Sequence, residues 1–135
     1  MLVKYDVFFR YLEENDWSSF FELIRRYGLN HEFKLEEKNL FHFLAIYERG
    51  SKGIELFLKY FTREQLKSMF LETNRIGNNI FHFAAYRSYQ VDTLRFLLEF
   101  AREINLACPN LPNNIGTLPT HLAENEEWIE IMEAY

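Results

Sequence analysis

Asn39-Leu40-Phe41-His42-Phe43-Leu44-Ala45 returns forty residues later as Asn79-Ile80-Phe81-His82-Phe83-Ala84-Ala85. A looser copy, Leu118-Pro119-Thr120-His121-Leu122-Ala123, follows the second at an offset of 39. Each copy gives way to polar residues and then to a second apolar stretch, at 53–61, 92–100 and 128–132. In those stretches Leu94, Leu97 and Leu98 recur at i, i+3, i+4. Trp128, Ile131, Met132 and Tyr135 recur at i, i+3, i+4, i+7. That spacing places apolar side chains on one face of a helix. Each unit therefore reads helix, short loop, helix.

The punctuation agrees with this division. Asn39 and Asn79 stand where a helix needs a side-chain acceptor for its first free amides. Asn74-Arg75-Ile76-Gly77-Asn78 precedes the second copy and reads as a turn. Pro109-Asn110-Leu111-Pro112-Asn113-Asn114-Ile115-Gly116 precedes the third; its Pro and Asn residues favour an exposed loop. Thr62-Arg63-Glu64-Gln65 has the spacing of a capping box and predicts an extra helix over about 63–71, which lengthens the period. At the N-terminus, 2–14 reads as helix, Asp16 as the next cap, and Trp17, Phe20, Phe21 and Ile24 as one buried face. Gly28 is placed to end that second helix in the left-handed conformation. The charged stretch 29–38 links this pair to the first clear repeat.

The motif resembles the ankyrin-repeat signature Gly-x-Thr-Pro-Leu-His-x-Ala-Ala, whose usual period is about 33 residues. Gly77-Asn78-Asn79-Ile80-Phe81-His82-Phe83-Ala84-Ala85 matches it with Asn for Thr, Ile for Pro and Phe for Leu. Gly116-Thr117-Leu118-Pro119-Thr120-His121-Leu122-Ala123 keeps Gly, Pro, His and Ala, while Leu118 cannot cap. Glu37 to Ala45 keeps His42 and Ala45. The resemblance implies an all-α ankyrin-repeat solenoid of about four stacked helix pairs with short or irregular hairpin loops. It forms a single domain over 1–135: a divergent N-terminal pair at 1–34 and ankyrin-like repeats at 35–74, 75–113 and 114–135. Ala45, Ala84, Ala85 and Ala123 would let inner helices approach, and one pair cannot bury its own face, so stacking is required.

Composition excludes several function classes. The 135 residues are 48% hydrophobic and 26% charged, a globular balance. The single cysteine, Cys108, precludes an internal disulfide and suits a reducing compartment, so a cytoplasmic location is expected. The first ten residues carry Lys4 and Asp6 within their apolar stretch and do not read as a signal peptide. No apolar run approaches the roughly 20 residues that span a bilayer. Net charge is −5, which disfavours a broad phosphate-binding surface. Aromatics interleaved with Arg at Tyr86-Arg87-Ser88-Tyr89 could stack single-stranded bases, but residues 1–123 sum to zero charge and argue against it.

Metal and catalytic chemistry find no constellation. His42, His82 and His121 recur, but equivalent positions in stacked helices lie about 8–10 Å apart. Two imidazoles on one zinc need Zn–N distances of about 2.0–2.1 Å. The expected role is a buried ring whose nitrogens tie its loop to the neighbouring repeat. His31 is expected as a solvated loop residue and Cys108 as a packed or loop thiol, and Gly77 and Gly116 as turn glycines.

The expected function is therefore non-catalytic protein–protein recognition, with no cofactor, metal, nucleic acid or membrane. For the binding surface, the family resemblance implies loop tips and inner helices. Carried over, these positions are Lys38, Ile46 and Tyr47; Arg75, Asn78, Tyr86 and Arg87; and Asn114, Thr117 and Asn125. Tyr47, Tyr86 and Arg87 stand out, because Tyr and Arg are enriched among residues that carry binding energy. A structural or regulatory subunit of a larger assembly is one alternative. The other starts from the tail, where 124–135 holds five Glu and no Lys or Arg. Glu126-Glu127-Trp128-Ile129-Glu130 resembles the glutamate-rich C-terminal block of proteins exported by type IV secretion of intracellular bacteria. On that reading Glu126, Glu127 and Glu130 are an export signal and the protein an effector acting on a host protein in the host cytosol. On the other, the tail is an amphipathic closing helix, with Glu126, Glu130 and Glu133 on one face and Trp128, Ile131 and Met132 on the opposite one.

Overall fold

The computed structural model describes residues 5–135. The segment expected as helix over 2–14 is helical from its first described residue; 1–4 lie outside the described residues. The elements are α1 (Tyr5–Glu13), α2 (Trp17–Tyr27), α3 (Leu40–Tyr47), α4 (Lys52–Tyr60), α5 (Arg63–Leu71), α6 (Ile80–Ala84), a 3-10 turn (Ala85–Arg87), α7 (Val91–Glu103), α8 (Pro119–Leu122) and α9 (Glu126–Glu133). Among the described residues the protein is all-helical, with one isolated bridge between Leu35 and Lys38.

The helices pack in two rows. An inner row runs α1, α3, α6, α8, each against the next. Outside it α2 packs on α4 and α7 on α9, while α3 also meets α4, α5 and α7. Helix α3 is thus enclosed, and every residue from Leu40 to Ile46 is buried. Its apolar sequence has no polar face because no face meets water. Phenylalanines fill the space between rows. Phe8 meets Phe20 and Phe43 edge-on with centroids 5.0 and 5.2 Å apart. Phe41 lies 5.7 Å from each of Phe57, Phe70 and Phe100. These are the offset geometries that aromatic quadrupoles favour. Ala45, Ala84 and Ala85 are buried as close-approach positions, whereas Ala123 is only half-buried beyond the end of α8.

Local chemistry sets the ends. The Asp16 carboxylate accepts from Ser19 N–H, and Gly28 closes α2 at φ +64°. Thr62 and Gln65 form a reciprocal capping box at α5. Asn39 and Asn79 accept from the third amides of α3 and α6. The side-chain amide of Asn39 continues to the carbonyl of Met69, and that of Asn79 to the carbonyl of Pro109. Those carbonyls are also forty residues apart, although the first ends a helix and the second lies in a loop. The repeat register thus survives a change of local structure.

Candidate partner-binding surface

The stack has two edges where loops cluster. At one edge lie three turns. Asn74 and Asn113 each fold a turn whose amides donate to their own side-chain oxygen: Ile76 and Asn78 to the first, Ile115 and Thr117 to the second. Gly77 and Gly116 both hold φ +83°, which glycine adopts without penalty. In the first turn, Leu35 and Lys38 exchange both backbone hydrogen bonds around Glu36 and Glu37, at φ +52° and +63°. Carboxylate residues in that conformation cost on the order of 1–2 kcal/mol each. An offset arises because Glu37 accepts from the Arg75 N–H at 2.9 Å and pairs with its Nε at 3.3 Å. Asn114 completes the chain of turns: its N–H donates to the Ile76 carbonyl and its side chain to the Arg75 carbonyl.

Two of the three recurring histidines, His42 and His82, bind their inner helix to the segment after it. In all three, Nδ1 accepts from the backbone N–H of the residue before the helix, Asn39, Asn79 or Leu118, at 3.0–3.1 Å. The proton therefore sits on Nε2. That of His82 donates to the Thr117 carbonyl at 2.8 Å, in the next repeat. That of His42 donates to the Glu72 carbonyl at 3.2 Å, which leads into the next turn but still belongs to its own repeat, because α5 intervenes. His121 corrects the expectation of a buried ring: it is exposed, and its Nε2 has no hydrogen bond among the described residues. His31 is half-buried rather than solvated, with Nδ1 buried and without a hydrogen-bond partner among the described residues. Cys108 is exposed.

Burial pushes the His42 imidazole down to about 4, against the raising effects of the Glu72 carbonyl and carboxylate. Burial also lowers His82. Unfolded His42 takes up a proton as pH falls through about 6.5, whereas the native ring does not until about 4. Its contribution to stability is complete above pH 6.5 and is lost downward from there, by about 3 kcal/mol at the lower limit. The stability gap between the parent and His42→Gln should narrow by roughly 2–3 kcal/mol between pH 7 and pH 4.5 in urea titrations. A gap that stays constant would show that the ring is not held neutral.

At the other edge lie the ends of the inner helices, where three side chains whose roles no sequence motif announces fix the loops. Asn15, at φ +53°, donates to the carbonyls of Leu12 and Tyr47 and accepts from Arg49 N–H and the Trp17 indole. Glu48, 1% exposed, accepts from Gly50 and Ile54 N–H, and so caps α4 in place of Ser51. Buried Ser88 accepts from both Glu124 and Asn125 N–H at 3.0 and 3.1 Å. Around these locks Arg87 sits 5.2 Å from the Tyr47 ring centroid, 3.6 Å from a Glu13 carboxylate oxygen and 3.4 Å from the Tyr89 hydroxyl. Tyr86 and Tyr89 project beside it, 61% and 57% exposed.

The carried-over positions thus divide. Tyr47, Tyr86 and Arg87 come together at this second edge. Lys38, Arg75, Asn114 and Thr117 lie at the turn edge, where Lys38 approaches the Phe83 ring at 5.6 Å. Two positions are corrected. Ile46 is buried because α3 is enclosed, and Asn78 is buried because its oxygen accepts from the Asn113 amide at 2.8 Å. Neither side chain is offered to a partner. Asn125 caps α9, accepting from Trp128 N–H. Glu126, Glu127 and Glu130 are exposed on α9, and Trp128 and Met132 are buried beneath. Glutamates in a first turn are stabilised there by the helix dipole.

Among the described residues no group of three or more His, Cys, Asp and Glu side chains is placed to hold a metal ion. No described helix is long and apolar enough to cross a membrane.

No family model matches the chain, and no curated protein matches it. Among solved structures, a chain from the crystal structure of the yeast ribosomal protein Rps3 in complex with its chaperone Yar1 is similar in fold. The TM-score is 0.64 at 21% identity, covering 96% of this chain and 89% of that one.

Proposed function

We propose that this chain is a non-catalytic interaction module of the ankyrin type, binding a partner protein through the exposed loop edge of its inner row. The observation that carries this reading is the grouping of Tyr86, Tyr89, Arg87 and Tyr47 at an edge whose loops are fixed by Asn15, Glu48 and Ser88. Large, rigid side chains on an immobile frame gain contact area at small ordering cost. The ankyrin assignment is supported by the repeated Asn–His motif and the two-row packing of its helices. That a chain of similar fold occurs in a chaperone–ribosomal protein complex accords with a role in binding or assembly. On this reading the protein acts in the cytoplasm.

The test begins with capture of the partner and its identification by mass spectrometry. Tyr86→Ala combined with Arg87→Ala should then weaken binding by more than about 2 kcal/mol in calorimetry, with the thermal midpoint nearly unchanged. Undiminished affinity would move the interface to the outer row or to α9.

A further inference from the structure

We infer that the groove between the 85–90 loop and the start of α9 receives a cationic side chain, Arg or Lys, from a basic peptide segment. The inference rests on the binding edge proposed above and names the chemistry of its occupant. The groove encloses about 390 Å³ and is walled by Tyr86 and Tyr89 on one side and by Leu122, Glu124 and Asn125 on the other. Its one charged lining residue is Glu124, which is exposed. A guanidinium or ammonium there would meet the face of an aromatic ring and a carboxylate together, the two groups that stabilise such a cation.

The site is held open by the protein itself. Ser88 accepts from the N–H groups of Glu124 and Asn125, fixing the carboxylate-bearing loop against the loop that carries both tyrosines. Arg87 does not line the groove; Glu13, the Tyr47 ring and the Tyr89 hydroxyl occupy its guanidinium. Toward α9 the charge continues in the same sense, whereas on the far side of Tyr89 stand Arg87 and Arg49. Asn125 caps α9, whose exposed Glu126, Glu127 and Glu130 follow directly, in a stretch of five Glu without a Lys or Arg. Among the described residues only Glu127 of these has a basic neighbour, Arg95, at 3.8 Å. A basic segment seated in the groove therefore finds a complementary track along the helix.

The probe is a fluorescein-labelled nona-arginine peptide, followed by anisotropy at about 0.15 M salt, where remote surface charges are screened. The parent should bind it, and Glu124→Gln and Tyr89→Leu should each weaken binding by about tenfold. Glu55→Gln, an exposed position on α4 with the same change of charge, should change it less than about twofold. Circular dichroism of each variant guards against misfolding. Equal weakening by Glu55→Gln, absence of peptide binding, or tighter binding of an oligothymidylate than of the peptide would each overturn the inference. Partner affinity that falls with Tyr86→Ala and Arg87→Ala, beside peptide binding indifferent to Glu124→Gln, removes the cationic occupant and leaves the binding edge standing. Partner affinity that ignores all of these variants removes the edge itself.

Discussion

Replacing Gly53 by alanine is expected to destabilise the fold by about 2–3 kcal/mol. In an exposed helix the same change would gain about 1 kcal/mol, so the sign itself is diagnostic. Gly53 is buried in the first turn of α4. A methyl group there would stand 2.5 Å from Glu48 Oε2 and 2.7 Å from two ring atoms of Trp17. Neither neighbour can yield cheaply. The Glu48 carboxylate holds the N–H groups of Gly50 and Ile54, and the Trp17 indole donates to Asn15 at 3.2 Å. The same contacts make the joint between the first two inner loops rigid, so the loss should be accompanied by faster exchange of the amides of Arg49 and Ile54. Chemical denaturation measures the first effect, and a neutral or stabilising result would show that the joint is loosely packed.

Asn39→Ala should cost about 3 kcal/mol and Asn79→Ala about 1–2 kcal/mol, although the two residues occupy the same place in the repeat. Both variants lose a helix cap, worth about 1 kcal/mol. Asn39 is fully buried, and its amide also donates to the Met69 carbonyl at 2.8 Å and to a Glu72 carboxylate oxygen at 2.6 Å. Truncation leaves both acceptors without that donor inside the protein. Asn79 is half-buried, and its amide reaches a single carbonyl, that of Pro109, at 3.3 Å. Equal losses in urea unfolding would mean that capping alone, and not the tie between segments, accounts for these residues.

Much of the fold was legible because it follows local rules. The caps at Asp16, Asn39, Thr62 and Asn79, and the turn glycines Gly77 and Gly116, are each fixed by bonding within a few residues. The extra helix between the first two motifs, Arg63–Leu71, was legible from its capping box for the same reason. The joints were not legible. Asn15 and Ser88 bond across 32 to 37 residues of sequence, and nothing in their immediate neighbours distinguishes them from loop polar residues; the Glu48 carboxylate bonds only to Gly50 and Ile54, without a recognisable capping pattern. Ile46 falls among the carried-over positions because a repeat pattern does not register that α3 is covered on all sides. Tyr89 lies outside the carried-over positions for the converse reason: the 3-10 turn after α6 carries the chain outward and exposes a residue that the repeat pattern does not cover.

A partner protein is proposed to dock on the inner-row loop edge. Hydrogen exchange of the chain, free and saturated with its captured partner, tests it most directly. The account predicts that slowing of exchange concentrates in 85–90 and 122–126, with α4 and the outer face of α7 unchanged. Slowing confined to α4 and α7, with the 85–90 loop exchanging as in the free protein, would contradict it.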